Sequence, residues 1–201
     1  MREFKHGETV SWHGNLGKLG PVILLAFLVG CTTVMPPPMA SSENSQALRA
    51  ANLTPTNVGS FKLTPGRLPL MDTELSGGLR GGNIAAPSGS FSQHLKETLK
   101  AELQSAGLLD LQSRYLIEGQ LTDSKVDAAI GTGTARLAAR FKIIREGQTL
   151  FDKELVVEDS WDSSFLGAVA IPRAIEHYGA IYKLLVGKLL NDSGFRRALA
   201  R

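Results

Sequence analysis

Hydrophobic positions along the chain fall into three regimes. Residues 19–30, Leu-Gly-Pro-Val-Ile-Leu-Leu-Ala-Phe-Leu-Val-Gly, are apolar almost without interruption and follow a head carrying Arg2, Lys5 and Lys18. Such a run is short of the roughly 20 residues that span a bilayer, and its basic head and small residues at the end mark a secretory signal over 1–30. From Thr32 to Asn57 the chain is poor in apolar residues and broken by Pro36-Pro37-Pro38. This composition predicts a flexible tether over 31–57, which at about 3 Å per extended residue could hold a domain several nanometres from its anchor. Periodic patterns begin only at residue 58.

Those patterns predict six elements. Val58 to Thr64 reads as a strand with Phe61 and Leu63 on one face, and Leu68 to Met71 as its extension or an edge, since Pro69 argues against a central strand. Ser76 to Gly89 is glycine-rich and reads as a mobile loop. Ser90-Phe91-Ser92-Gln93 has the form of a capping box, and Phe91, Leu95, Leu99 and Leu103 then recur at helical spacing. Gly107 is placed to take the left-handed cap, with Leu108 folding back on the last turn. Alternating residues over 115–121, 135–143 and 149–159 predict three strands, the last two joined by a turn at Arg145 to Gln148. Pro172 suits an early helical position, and Ile171, Ala174, Ile175, Tyr178, Ile181, Tyr182, Leu185 and Leu189 trace a broad apolar stripe. Asn191 to Gly194 ends that helix, leaving 193–201 as a C-terminal tail with room for one further turn. Two helices, each with one apolar face, cover one face of a mostly antiparallel four-stranded sheet: an α+β two-layer sandwich over 58–192 in the order strand-helix-strand-strand-strand-helix. The first crossover pairs its strands in parallel.

Composition narrows the chemistry. Without residues 1–30, 171 of the 201 residues remain, with 19 basic and 17 acidic side chains. A net charge of +2 leaves no footprint for nucleic acid. Cys31 is the single cysteine, so neither a disulfide nor a cysteine-based metal site can form within one chain. Beyond residue 30 the histidines are His94 and His177, without metal-ligand spacing, and no serine sits in a nucleophile elbow. Gly77 to Gly82 lacks the lysine and hydroxyl of a phosphate-binding loop. The pattern therefore predicts no catalytic residue, no metal and no cofactor.

Two apolar features remain open at this level. Trp161, Phe165 and Leu166 sit around the loop before the last helix, where they either cap the core or meet a partner or lipid. Leu184, Val186 and Leu190 lie off the main stripe of that helix, which implies deep burial or a second contact surface.

Leu28-Val29-Gly30-Cys31 resembles the lipobox of bacterial lipoproteins. The resemblance implies that Cys31 becomes the acylated first residue of the mature chain, carrying palmitate-type chains. Thr32 in the next position, where an aspartate would imply inner-membrane retention, implies the periplasmic face of the outer membrane. With the element order over about 58–190, the helix ending Ala106-Gly107-Leu108-Leu109 and the following Tyr115-Leu116-Ile117-Glu118-Gly119, the chain also resembles the auxiliary lipoproteins of bacterial ABC-type transport systems. More distantly it is similar to the lipoprotein of the lipopolysaccharide-assembly machinery. These resemblances imply a non-catalytic envelope accessory that helps lipid or glycolipid across the envelope by binding a transporter, a channel or the lipid. The alternative is a scaffold that stabilises an outer-membrane or cell-wall complex and transports nothing.

Overall fold

A computed structural model describes residues 32–80 and 82–201; the expected signal segment and Cys31 lie outside these residues. In chain order the elements are β1 (Thr32–Val34), α1 (Ser42–Ala50), β2 (Asn57–Leu63), α2 (Leu70–Thr73), β3 (Glu74–Leu79), β4 (Gly82–Ala85), α3 (Phe91–Ser105), β5 (Tyr115–Asp127), β6 (Gly131–Arg145), β7 (Gln148–Ser163), α4 (Gly167–Leu190) and α5 (Ser193–Leu199).

The large sheet has the order β2-β5-β6-β7, with β2 parallel to β5 and the other pairs antiparallel. α3 packs on β2 and β5, α4 on β6 and β7, and the two helices touch each other. This is the expected α+β two-layer sandwich. Its core joins Phe91, Leu95, Leu99 and Leu103 of α3 to Ile117, Leu121, Leu137, Phe141 and Ile143 of the sheet and to Tyr178, Ile181, Tyr182 and Leu185 of α4, all fully buried. Close packing dictates one glycine here: a Cβ at Gly119 would lie 2.3 Å from the Phe61 ring. That ring in turn meets Phe141 edge to face at 6.2 Å.

α3 starts and stops as its sequence demands. Ser90 Oγ accepts the Gln93 N–H at 3.1 Å, although the Gln93 side chain donates to Glu97 and does not reach back to complete a capping box. Gly107 has φ +74°, and the Leu108 N–H donates to the Leu103 carbonyl at 2.8 Å, closing a Schellman cap.

Five expectations are corrected. The segment read as a tether is ordered: β1 pairs with β4, Met35 is buried, and α1 packs on α3. Its anchors come from elsewhere in the chain, because Glu102 Oε1 of α3 accepts the Ser41 N–H at 2.9 Å and Asn44 Nδ2 at 3.1 Å. The glycine-rich stretch holds β3 and β4, which with β1 make a second sheet in the order β1-β4-β3. Leu70 and Met71 begin the short helix α2, since Pro69 already has helical backbone angles. α4 begins five residues before Pro172, whose missing N–H costs one hydrogen bond. The expected tail is α5, capped by Asp192, with Phe195 and Leu199 buried. The girth of α4 divides: Val186 and Leu190 are buried, whereas Leu184 is exposed.

Candidate lipid- and partner-contact surface

Strand direction brings three connections to one end of the domain. β5 and β6 turn at residues 128–130, β7 leads into α4 through 164–166, and β3 turns into β4 at Arg80. Arg80, in the left-handed region at φ +51°, fastens all three. Its Nε donates to the Ala128 carbonyl at 2.7 Å, and its terminal nitrogens donate to the carbonyls of Phe165 at 2.8 Å and Ser164 at 2.6 Å. A guanidinium is suited to this because it presents several donors in a rigid fork. Gly78 lets β3 approach so closely: a Cβ there would fall 1.7 Å from the Val126 carbonyl oxygen, and the Gly78 carbonyl accepts the Ala128 N–H at 2.6 Å.

The aromatic loop divides at this end. Trp161 is only 6% exposed and stacks on His177 with ring centroids 4.2 Å apart. A Cβ at Gly133 would sit 2.3 Å from its indole, so the glycine makes the slot that holds it. His177 Nδ1 meets the Asp159 carboxylate at 2.7 Å. Trp161 therefore belongs to the core. Phe165 is 72% exposed and Leu166 52%, and Val169 and Ile130 are exposed beside them. Gly131 pairs with Ser163, which sets Ile130 next to the Phe165 loop. Sequence reasoning missed Ile130 and Arg80; an arginine between two glycine pairs was the one available signal for the latter.

Next to this end lies an open cleft of about 810 Å³ between α2–β3 and the distal halves of β5, β6 and β7. Met71 and Leu75 form its apolar side, and Lys125, Asp127, Arg136 and Glu158 its charged side. The charges are largely paired: Asp123 takes Arg136 at 3.0 Å, Lys125 at 3.5 Å and Arg67 at 3.5 Å, and Arg136 also bonds Glu158. Such a wall suits an elongated amphipathic segment better than a compact ion.

Ser124, at the edge of the cleft, opens a buried polar chain. Its Oγ hydrogen-bonds the Tyr178 hydroxyl, which reaches the Tyr182 hydroxyl at 2.9 Å, and the Tyr182 ring meets His94 edge to face at 4.7 Å. Burial pushes both phenols well above their ordinary range and lowers His94 to about 4. All three are therefore neutral near pH 7, and the hydroxyls satisfy one another within the core. Among the described residues, no group of three or more His, Cys, Asp and Glu side chains is arranged to hold a metal ion. No described helix is long and apolar enough to cross a membrane.

Comparison with known proteins defines the fold. A DUF330 protein from Xanthomonas campestris is similar in structure, with a TM-score of 0.54 at 12% identity over 79% of this chain and 94% of that one. At lower similarity stand a minor lipoprotein from Acinetobacter baumannii (TM-score 0.43, 14% identity, 74% and 96% covered) and a PelC dodecamer from Paraburkholderia phytofirmans (0.41, 12%, 84% and 96%). No protein-family model matches the chain, and no curated protein matches it in sequence. The chain thus has the fold of the Xanthomonas protein.

Proposed function

We propose that this protein is a lipid-anchored, non-catalytic accessory of the bacterial envelope. Acylated Cys31 holds it at the periplasmic face of the outer membrane, where it assists lipid or glycolipid transport by binding a transporter, a channel or the lipid. The observation that carries this reading is the amphipathic cleft beside an end that exposes Phe165 and Leu166. Fold alone is a weak warrant for function, so the lipobox and this surface bear the weight.

A second reading, an envelope scaffold, is favoured by β7. This strand of 16 residues lies at the sheet edge and offers backbone groups for pairing with another protein. One of them, the Val156 carbonyl, is already taken by Lys188 at 2.8 Å.

Affinity purification from membranes in mild detergent, with proteins and lipids identified by mass spectrometry, separates the two. Recovery of an ABC transporter or a stoichiometric lipid supports transport; recovery of only outer-membrane or cell-wall components supports the scaffold. Cys31→Ser is expected to move the protein out of the membrane fraction, and unchanged partitioning into a detergent phase would refute the anchor.

A further inference from the structure

We infer that the end bearing Ile130, Phe165, Leu166 and Val169 rests on the lipid leaflet that holds Cys31, so that the domain sits directly on the membrane in one orientation. This inference builds on the lipid-anchor reading above.

The start of the described chain carries the argument. β1 runs parallel to β4 with Thr32 opposite Asn83, and Asn83 is three residues beyond Arg80. Arg80 is bonded to the carbonyls of Ala128, Ser164 and Phe165. The chain therefore enters the domain at its apolar end. Any residue bonded to Thr32 has its Cα about 3.8 Å from that of Thr32, and paired strands lie about 4.8 Å apart. The described chain thus begins, at Thr32, close to the connections that carry Phe165 and Leu166, and the anchor reading puts the acyl chains on the residue before it.

No slack loosens this geometry. The Met35 N–H donates to the Ala85 carbonyl at 3.0 Å, and the Met35 side chain is 2% exposed. The linker that could have let the domain swing is already folded onto it.

The same end suits a lipid surface chemically. Ile130, Phe165 and Leu166 come from two adjacent connections and Val169 from the first turn of α4, so these exposed side chains form a patch and not scattered points, with the exposed carboxylates Asp127 and Asp162 on the adjoining strand ends. Leaving water is costly for unpaired carbonyls, and Arg80 already satisfies those of Ala128, Ser164 and Phe165. The opposite end, at the β6–β7 turn, carries Arg114 paired with Glu146 and the Arg145 guanidinium over the Tyr115 ring.

Site-directed spin labelling of the acylated chain tests this. Acylation blocks the native thiol, so Phe165→Cys, Leu166→Cys and Ile130→Cys each supply one labelling site, with Leu150→Cys at the opposite end as reference. All four positions are exposed, so labelling them leaves the core intact. On vesicles of phosphatidylethanolamine and phosphatidylglycerol, the labels at 130, 165 and 166 should gain oxygen accessibility and lose nickel-chelate accessibility several-fold relative to 150. Equal nickel accessibility at both ends of vesicle-bound protein would overturn the inference and leave the anchor standing. Spin–spin broadening at 165 would overturn it in favour of contact between two copies. Failure of the acylated chain to float with vesicles would overturn the anchor reading and this inference together.

Discussion

The two sheets of this domain are held in different ways. The large sheet is made of strands of up to 16 residues, and two amphipathic helices bury its inner face. The small sheet has strands of 3, 6 and 4 residues and contributes few fully buried side chains, chiefly Leu79 and Ile84. It is fixed from outside: by Arg80, by the contact of Gly78 with Val126, and through α2 by the Asp72 carboxylate, which accepts the Ser92 N–H at the start of α3 at 2.8 Å. A long sheet with a covered face is stable in itself, whereas a short glycine-rich one persists only by docking. The contrast predicts two levels of local stability within one fold.

Three changes break or sharpen this contrast. The largest effect belongs to Leu99→Asp, which puts a carboxylate at a fully buried position under the large sheet. It should cost more than about 4 kcal/mol and abolish the cooperative melt; a wild-type melting curve would mean that the inner face is misassigned. Next is His94, held near 4 by burial against its ordinary 6.5. The unfolded chain protonates this ring first, so stability is complete above about 6.5 and falls as pH drops toward 4, by roughly 3 kcal/mol at most. Urea midpoints at pH 7 and pH 4.5 should therefore differ more for the wild type than for His94→Leu, and equal differences would count against the buried neutral ring. Smallest is Arg80→Ala, worth about 1–3 kcal/mol for its bonds to carbonyls. Amides of 32–35 and 74–85 should lose hydrogen-exchange protection while those of β5 to β7 keep theirs. Uniform loss across both sheets would erase the distinction.

The same contrast explains what was legible in the sequence. Helix α3 and the central strands announce themselves because their own side chains repeat at the spacing of the core they face. The alternation of β5 is legible only to Leu121, since a bulge between Leu121 and Asp123 shifts it and turns Ser124 and Val126 inward. α1 leaves no periodic signal because Leu48 is its one long apolar residue, and the carboxylate that anchors it through Asn44 sits 58 positions away on Glu102. The glycines of β3 and β4 hide these strands, because composition reads them as mobility, whereas Gly78 serves close approach to Val126. Within the contact surface, Phe165 and Leu166 were visible as apolar residues in a loop, but only the Gly133 slot separates them from Trp161.

One contact has a consequence for how the molecule is made. Leu53 bridges Ala200, and the Thr54 N–H donates to the Leu199 carbonyl at 2.7 Å, so the segment entering β2 closes on the segment leaving α5. Phe195 and Leu199 complete the core at that seam. A chain made N-terminus first can assemble its earlier helices and strands as they appear, yet it cannot lock until α5 is present. Closure of the fold is thereby deferred to α5, and until then the seam beside Leu53 stays open.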